Sequence, residues 1–198
     1  MTTEEKIFQA AQKIFEKKGY AGARMQEIAN EAGINKAMLH YFFRSKEQLF
    51  EAVFLNAFYK IAPKMNIIFM SEMSLFDKIR SFTDEYISFI VHNQYLPAFI
   101  IQEMNNNPDF VQKVLQNENA PKPTVLFKQI ETEIAQGIIK PINPKQLLLN
   151  IFSMTVFPFA APMLVKGLLQ ISQEEFNTLM HERKTLIAEQ IINAIKNE

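Results

Sequence analysis

Cysteine is absent from the 198 residues, which excludes a disulfide framework, thiolate metal sites and a cysteine nucleophile. Only three histidines occur, His40, His92 and His181, and they show no metal-ligand spacing. With no Gly-rich phosphate loop and no Ser-His-Asp arrangement either, no catalytic residue, metal or cofactor is assigned. Glycine is scarce, five in the chain, which leaves little room for hairpin turns. Net charge is zero, 21 basic against 21 acidic residues, so any role with nucleic acid has to rest on local arrangement. The first residues are polar and helix-like, with no apolar signal-peptide core, and a cytoplasmic protein is expected.

What is present is a chain 48% hydrophobic and 21% charged, enough for one large or two modest cores. Its wealth of Leu, Ile, Phe, Met, Glu, Lys and Gln favours helices, and the fold is read as all-α. Residues 1–46 are expected to form a helix-turn-helix domain and 47–198 a larger helical one. The uncharged run Leu147 to Val165 has the length of a membrane span. It contains Asn150, Ser153, Thr155, Pro158 and Pro162 without flanking anchors, so a buried helix is expected and no membrane partner.

Thr2 and Glu5 have capping-box spacing, and Ile7, Phe8, Ala11, Ile14 and Phe15 recur at helical intervals up to Gly19. A first helix over 3–18 is predicted, closed by Gly19 in a left-handed conformation with Tyr20 folded back on Phe15. Met25, Ile28, Ala29 and Ala32 make a short second helix ending at Gly33, and Asn35 caps a third. Two short helices about a tight Gly turn are a helix-turn-helix. On the third, Ile34, Leu39 and Phe43 face inward, whereas Lys36, Ala37, His40, Tyr41 and Arg44 share the opposite, basic and aromatic face. Phe42 is read as partly core and Met38 as able to go either way. Lys36 can donate to guanine or phosphate, and Ala37 permits close approach or touches a thymine methyl. His40 and Tyr41 can hold backbone phosphates, and Arg24 and Gln26 reach the opposite groove wall. Ser45 and Gln48 cap a fourth helix that starts at Lys46, where a helix N-terminus and a lysine offer an anion site.

The stretch "KIFEKKGYAGARMQEIANEAGINKAMLHYFFRSKEQLF" (13–50) resembles the N-terminal domain of the TetR (tetracycline-repressor) family of bacterial transcription regulators. "F…KKGY", "IA…AGI", "K…L…YF" and "SKEQL" fall in register, over about a quarter of the chain. The resemblance implies DNA contacts at Lys36, Ala37, His40, Tyr41, Phe42 and Lys46. It departs at Ala23 and Arg24, where a hydroxyl cap is usual, and at His40, where a tyrosine is.

Long helices follow. The fourth carries a stripe from Leu49 to Ile61, with Pro63 set to bend or end it, and others are read over 74–92, 96–105 and 108–136, the last interrupted near Pro121 and Pro123. Phe and Met at such density line either a core or an adaptable cavity. The resemblance implies an effector cavity, for which Phe58, Tyr59, Phe82, Tyr86 and Phe89 are candidates. Phe99, Phe127 and Phe152 join them, with Gln102 or Glu103 orienting a small hydrophobic effector. The last helix bears an apolar stripe that covers either the chain's own core or a partner. TetR-like proteins dimerise in this region, which implies a homodimer interface at Phe157, Phe176, Met180, Arg183, Ile187 and Ile191. A repressor of this kind reads a palindromic operator in double-stranded DNA and is released by its effector. The alternative reading is a helical small-molecule or lipid-binding protein that grips no operator.

Overall fold

The computed structural model of the chain describes residues 2–93, 97, 100–101, 104–105, 108–117 and 120–197. Helices α1 (Thr3–Gly22), α2 (Met25–Glu31), α3 (Lys36–Phe42), α4 (Lys46–Met70) and α5 (Leu75–Val91) come first. They are followed by α6 (Pro108–Gln116), α7 (Thr124–Ala135), α8 (Pro144–Ala160), α9 (Pro162–Leu169) and α10 (Gln173–Ile195). No strand occurs among the described residues, and the all-α class holds. Two compact units divide the chain: the first takes residues 1–60 with the described part of 99–114, the second 61–98 and 115–198. The first unit thus runs beyond the expected limit at residue 46, because Leu49, Phe50, Val53 and Phe54 are buried in its core.

In that unit α1 opens with the capping box: the Thr2 amide donates to Glu5 Oε2 at 2.7 Å and the Glu5 amide to Thr2 Oγ1 at 3.2 Å. Gly19 does break the helix with a positive φ of 66°, but its ψ of 177° lies outside the left-handed helical region that was expected. Only glycine adopts this conformation readily. It lets one more turn form over 20–22, and the Tyr20 ring meets Phe50 edge-on at 5.0 Å. Phe15 meets the same ring edge-on at 5.1 Å, so both members of the pair predicted to touch pack on Phe50. Helices of seven residues such as α2 and α3 cannot stand alone in water. They persist because Ile28, Ala29 and Leu39 are fully buried among Ile7, Ala11, Phe15 and Leu49.

The second unit buries the remaining half of α4 with α5, α7, α8 and α10 around Phe69, Phe82, Leu126, Ile151 and Ile187. Thr83, fully buried on α5, brings its hydroxyl to 3.0 Å from the Lys184 carbonyl of α10, a close approach that a small side chain permits. Pro63 sits inside α4 without ending it, and the α4 terminus is held by the buried Lys78, which donates to the Phe69 carbonyl at 2.9 Å. Burial lowers the Lys78 ammonium's pKa, while the Glu72 and Glu133 carboxylates oppose that shift.

The run Leu147 to Val165 is not one buried helix. Pro162 starts α9 and leaves Ala161 in a non-helical conformation, and the two pieces meet at 82°. No single helix among the described residues is long and apolar enough to cross a membrane. A second proline, Pro158, lies within α8, where it removes the amide that would bond the Met154 carbonyl. Arg183 Nη2 supplies the missing donor at 2.7 Å, tying α10 to α8.

Candidate nucleic-acid interface

The Gly33 turn, with φ at 68°, ends α2 and delivers the chain to Asn35, whose Oδ1 accepts the Met38 amide at 2.7 Å and starts α3. One side of α3 is anchored by Leu39, and by Phe43, whose ring meets Phe8 edge-on at 5.7 Å. The other side carries Lys36, Ala37, His40, Tyr41 and Arg44, all exposed. Tyr41 is the most prominent, 84% exposed, with its ring edge-on to Phe42 at 5.6 Å. Met38 and Phe42 are 43% and 38% exposed, so each is partly covered, and Leu39 is the residue of α3 that is buried. An exposed helix face mixing a lysine, a histidine and phenol and thioether groups suits a groove that offers acceptors, phosphates and thymine methyls together.

Around this face, Arg24 is the exposed N-cap residue of α2 and makes no side-chain cap bond. Gln26, also exposed, donates to Asn30 on its own helix at 2.9 Å. Lys18 bridges α1 to Glu27 at 2.8 Å, and this bond, more than anything else, lowers the Glu27 carboxyl's pKa. His40 Nδ1 lies 3.3 Å from the Arg44 carbonyl. Lys46 departs from the anion-site expectation in its geometry: its ammonium turns inward, to the Tyr20 and Ala23 carbonyls at 2.9 and 3.3 Å.

The described residues proposed to line an effector cavity are divided between the two units. Phe58 and Tyr59 belong to the first unit, where Phe58 stacks on Phe54. In the second, Phe82 stacks on Phe69 and Tyr86 at 6.0 and 5.7 Å and meets Phe152 edge-on at 5.1 Å. Phe89 and Phe127 pack at the margin of that core. Burial pushes the Tyr86 hydroxyl's pKa well above the usual phenol range. The gap beside Phe82, walled by Phe69, Lys78, Leu126 and Ile151, holds about 10 Å³, room for one water. Phe99, Gln102 and Glu103 lie outside the described residues. Phe69, which sequence reasoning missed, completes the stack; its place on the same stripe of α4 as Met65 was the available signal.

At the C-terminal helices the expectation needs correction. Phe176, Met180, Ile187 and Ile191 are buried in the second unit itself, so their stripe closes the chain's own core. Arg183 is turned onto α8, and burial lowers its guanidinium's pKa. Phe157, by contrast, is 53% exposed, and with it Met163, Leu164, Leu168, Leu169 and Leu186 form the apolar outside of α8, α9 and α10.

Comparison with known proteins identifies the head. Residues 7–53 match the family described as bacterial regulatory proteins, tetR family. The "Probable HTH-type transcriptional regulator YttP" of Bacillus subtilis (strain 168) is 22% identical over 181 residues, 88% of this chain and 86% of that protein. The HTH-type transcriptional repressor NicS of Pseudomonas putida is 43% identical over 51 residues, 26% of this chain and 24% of its own. Among solved structures, HlyIIR, a hemolysin II transcriptional regulator, aligns over 99% of this chain and 98% of that one, with a TM-score of 0.67 at 22% identity. Residues 7–53 therefore carry the domain by which the tetR family of bacterial regulatory proteins is matched, and the all-α fold of the whole chain is one found in solved regulators.

Proposed function

We propose that this regulator binds a palindromic DNA operator as a homodimer in the cytoplasm, represses transcription, and leaves the DNA when a small hydrophobic effector binds. The observation that carries the reading is the outer face of α3, where Lys36, Ala37, His40 and Tyr41 stand exposed on a helix anchored by Leu39 and Phe43. Lys36 and Ala37 approach base edges, His40, Tyr41 and Arg44 hold phosphates, and Met38 and Phe42 add apolar contact. Arg24 and Gln26 reach the far groove wall. Residues 1–46 with the start of α4 act as the DNA-binding head and the rest as the effector and dimerisation domain.

The effector's place is the aromatic stack of Phe82, Tyr86 and Phe152, with Phe89 and Phe127 beside it. Because the gap there is water-sized, a ligand has to part these rings, and this differential fit is what biases one conformation over another. A coupling of about 1–3 kcal/mol would change operator affinity on the order of 5- to 150-fold. The homodimer uses the outside of α8 to α10, where large apolar side chains such as Phe157, Met163, Leu164, Leu168, Leu169 and Leu186 stand exposed.

The test is a gel shift on duplexes selected from a random pool. Wild type should retard a palindrome, and Lys36→Glu with Tyr41→Ala should abolish the shift while helicity and dimer remain. A wild type that selects no duplex at all would favour a ligand-binding protein without operator function.

A further inference from the structure

Lys46 was expected at a phosphate, yet its side chain runs the other way. Its ammonium donates to the Tyr20 carbonyl at 2.9 Å and the Ala23 carbonyl at 3.3 Å, and sits 4.3 Å over the centre of the Tyr20 ring. The first two contacts take up two of its three donors, and the third is a cation–π contact. Phe50, one turn further along α4, packs on the same Tyr20 ring from its other neighbour position at 5.0 Å. Residues four apart share a helix face, so the start of α4 grips Tyr20 with a charge and a ring at once.

The gripped segment is the one that most needs outside support. Gly19 breaks α1 in a conformation no other residue holds easily, and the chain then has only 20–24 in which to turn into α2. At the start of α2 stands Arg24, which provides no side-chain acceptor for the first amides. Ser, Thr, Asp or Asn there would itself fix the turn. Ala23, 2% exposed, is the residue just before it, and its carbonyl is one of the two that Lys46 holds. Lys18 secures the next turn through Glu27. The start of α2, and with it Arg24 at the groove wall, is therefore located from α4 and α1.

We infer that Lys46 is a positioning residue of the DNA-binding head, clamping the connection from α1 to α2 through the Tyr20 and Ala23 carbonyls, and is not a phosphate contact. The affinity readout rests on the operator reading above; the stability readout does not.

The experiment compares wild type, Lys46→Met, Lys46→Arg and Lys36→Met on a selected duplex across a salt series, with thermal unfolding of each. Loss of one phosphate contact reduces the slope of log affinity against log salt by about 0.9. Lys36→Met should show that reduction. Lys46→Met should keep the wild-type slope, weaken binding about tenfold at every salt concentration, and lower the thermal midpoint. Lys46→Arg, whose guanidinium reaches the same carbonyls, should restore both. A shallower slope for Lys46→Met with an unchanged midpoint would overturn the inference. Reductive methylation of wild type needs no variant: Lys46 should react slowly with and without duplex, whereas a Lys46 reactive in the free protein and protected by DNA contradicts the clamp. If wild type binds no duplex, the operator reading fails, and slow methylation with a lowered Lys46→Met midpoint still upholds the clamp.

Discussion

Arg183 does at the contact of α8 and α10 what Pro158 cannot, by donating to the Met154 carbonyl that the proline leaves without an amide. Replacing it by leucine strands a carbonyl in a partly buried helix junction. Arg183→Leu should cost about 1–3 kcal/mol in urea unfolding, the usual penalty for an unsatisfied buried group. An unchanged midpoint would mean that water reaches Met154 readily and the bond matters little. This pairing was half legible in the sequence. A proline inside a helical run announces an orphaned carbonyl four residues earlier, but not which distant donor answers it. Read by spacing alone, Arg183 fell on the interface stripe. Lys46 was misplaced for a related reason: a lysine at a helix start reads as an anion site until the carbonyls that surround it are known.

Among the elements, the helix starts were the most legible features, since Thr2, Asn35 and Ser45 each accept an amide from the first turn of their helices. Such caps are local chemistry and need no tertiary context. Gly19 and Gly33 were readable as breaks for the same reason, though not the extended ψ that Gly19 adopts. The faces of α10 were not legible. Phe176, Met180, Ile187 and Ile191 lie inward while Leu179 and Leu186 lie outward, so both sides are apolar and periodicity could not choose between them. The prediction at this scale concerns α3. Asn35→Ala removes its only side-chain cap and should cost about 1 kcal/mol of the head's stability, with weaker duplex binding in a fluorescence titration. Full binding and full stability in that variant would show that packing of Leu39 and Phe43 orders α3 without the cap.

At the level of the whole molecule, the division into two compact units gives the proposed operator contact and the proposed effector separate parts of the chain. The exposed apolar outside of α8, α9 and α10 belongs to the second unit and is the face proposed for the homodimer, whose two copies would carry two α3 helices. Phe157→Glu with Leu168→Glu should convert the dimer to monomer in sedimentation, with operator affinity falling in parallel. Sedimentation of wild type as a monomer at micromolar concentration, or an undisturbed dimer in that variant, would remove this face from the account. The central claim is that the outer row of α3 meets nucleic acid. Backbone and side-chain NMR shifts recorded while a selected duplex is added test it most directly. The account predicts that Lys36, Ala37, His40 and Tyr41 shift first and most, with Arg24 and Gln26 close behind. Saturating duplex that leaves those residues unmoved, while signals elsewhere change, would contradict it.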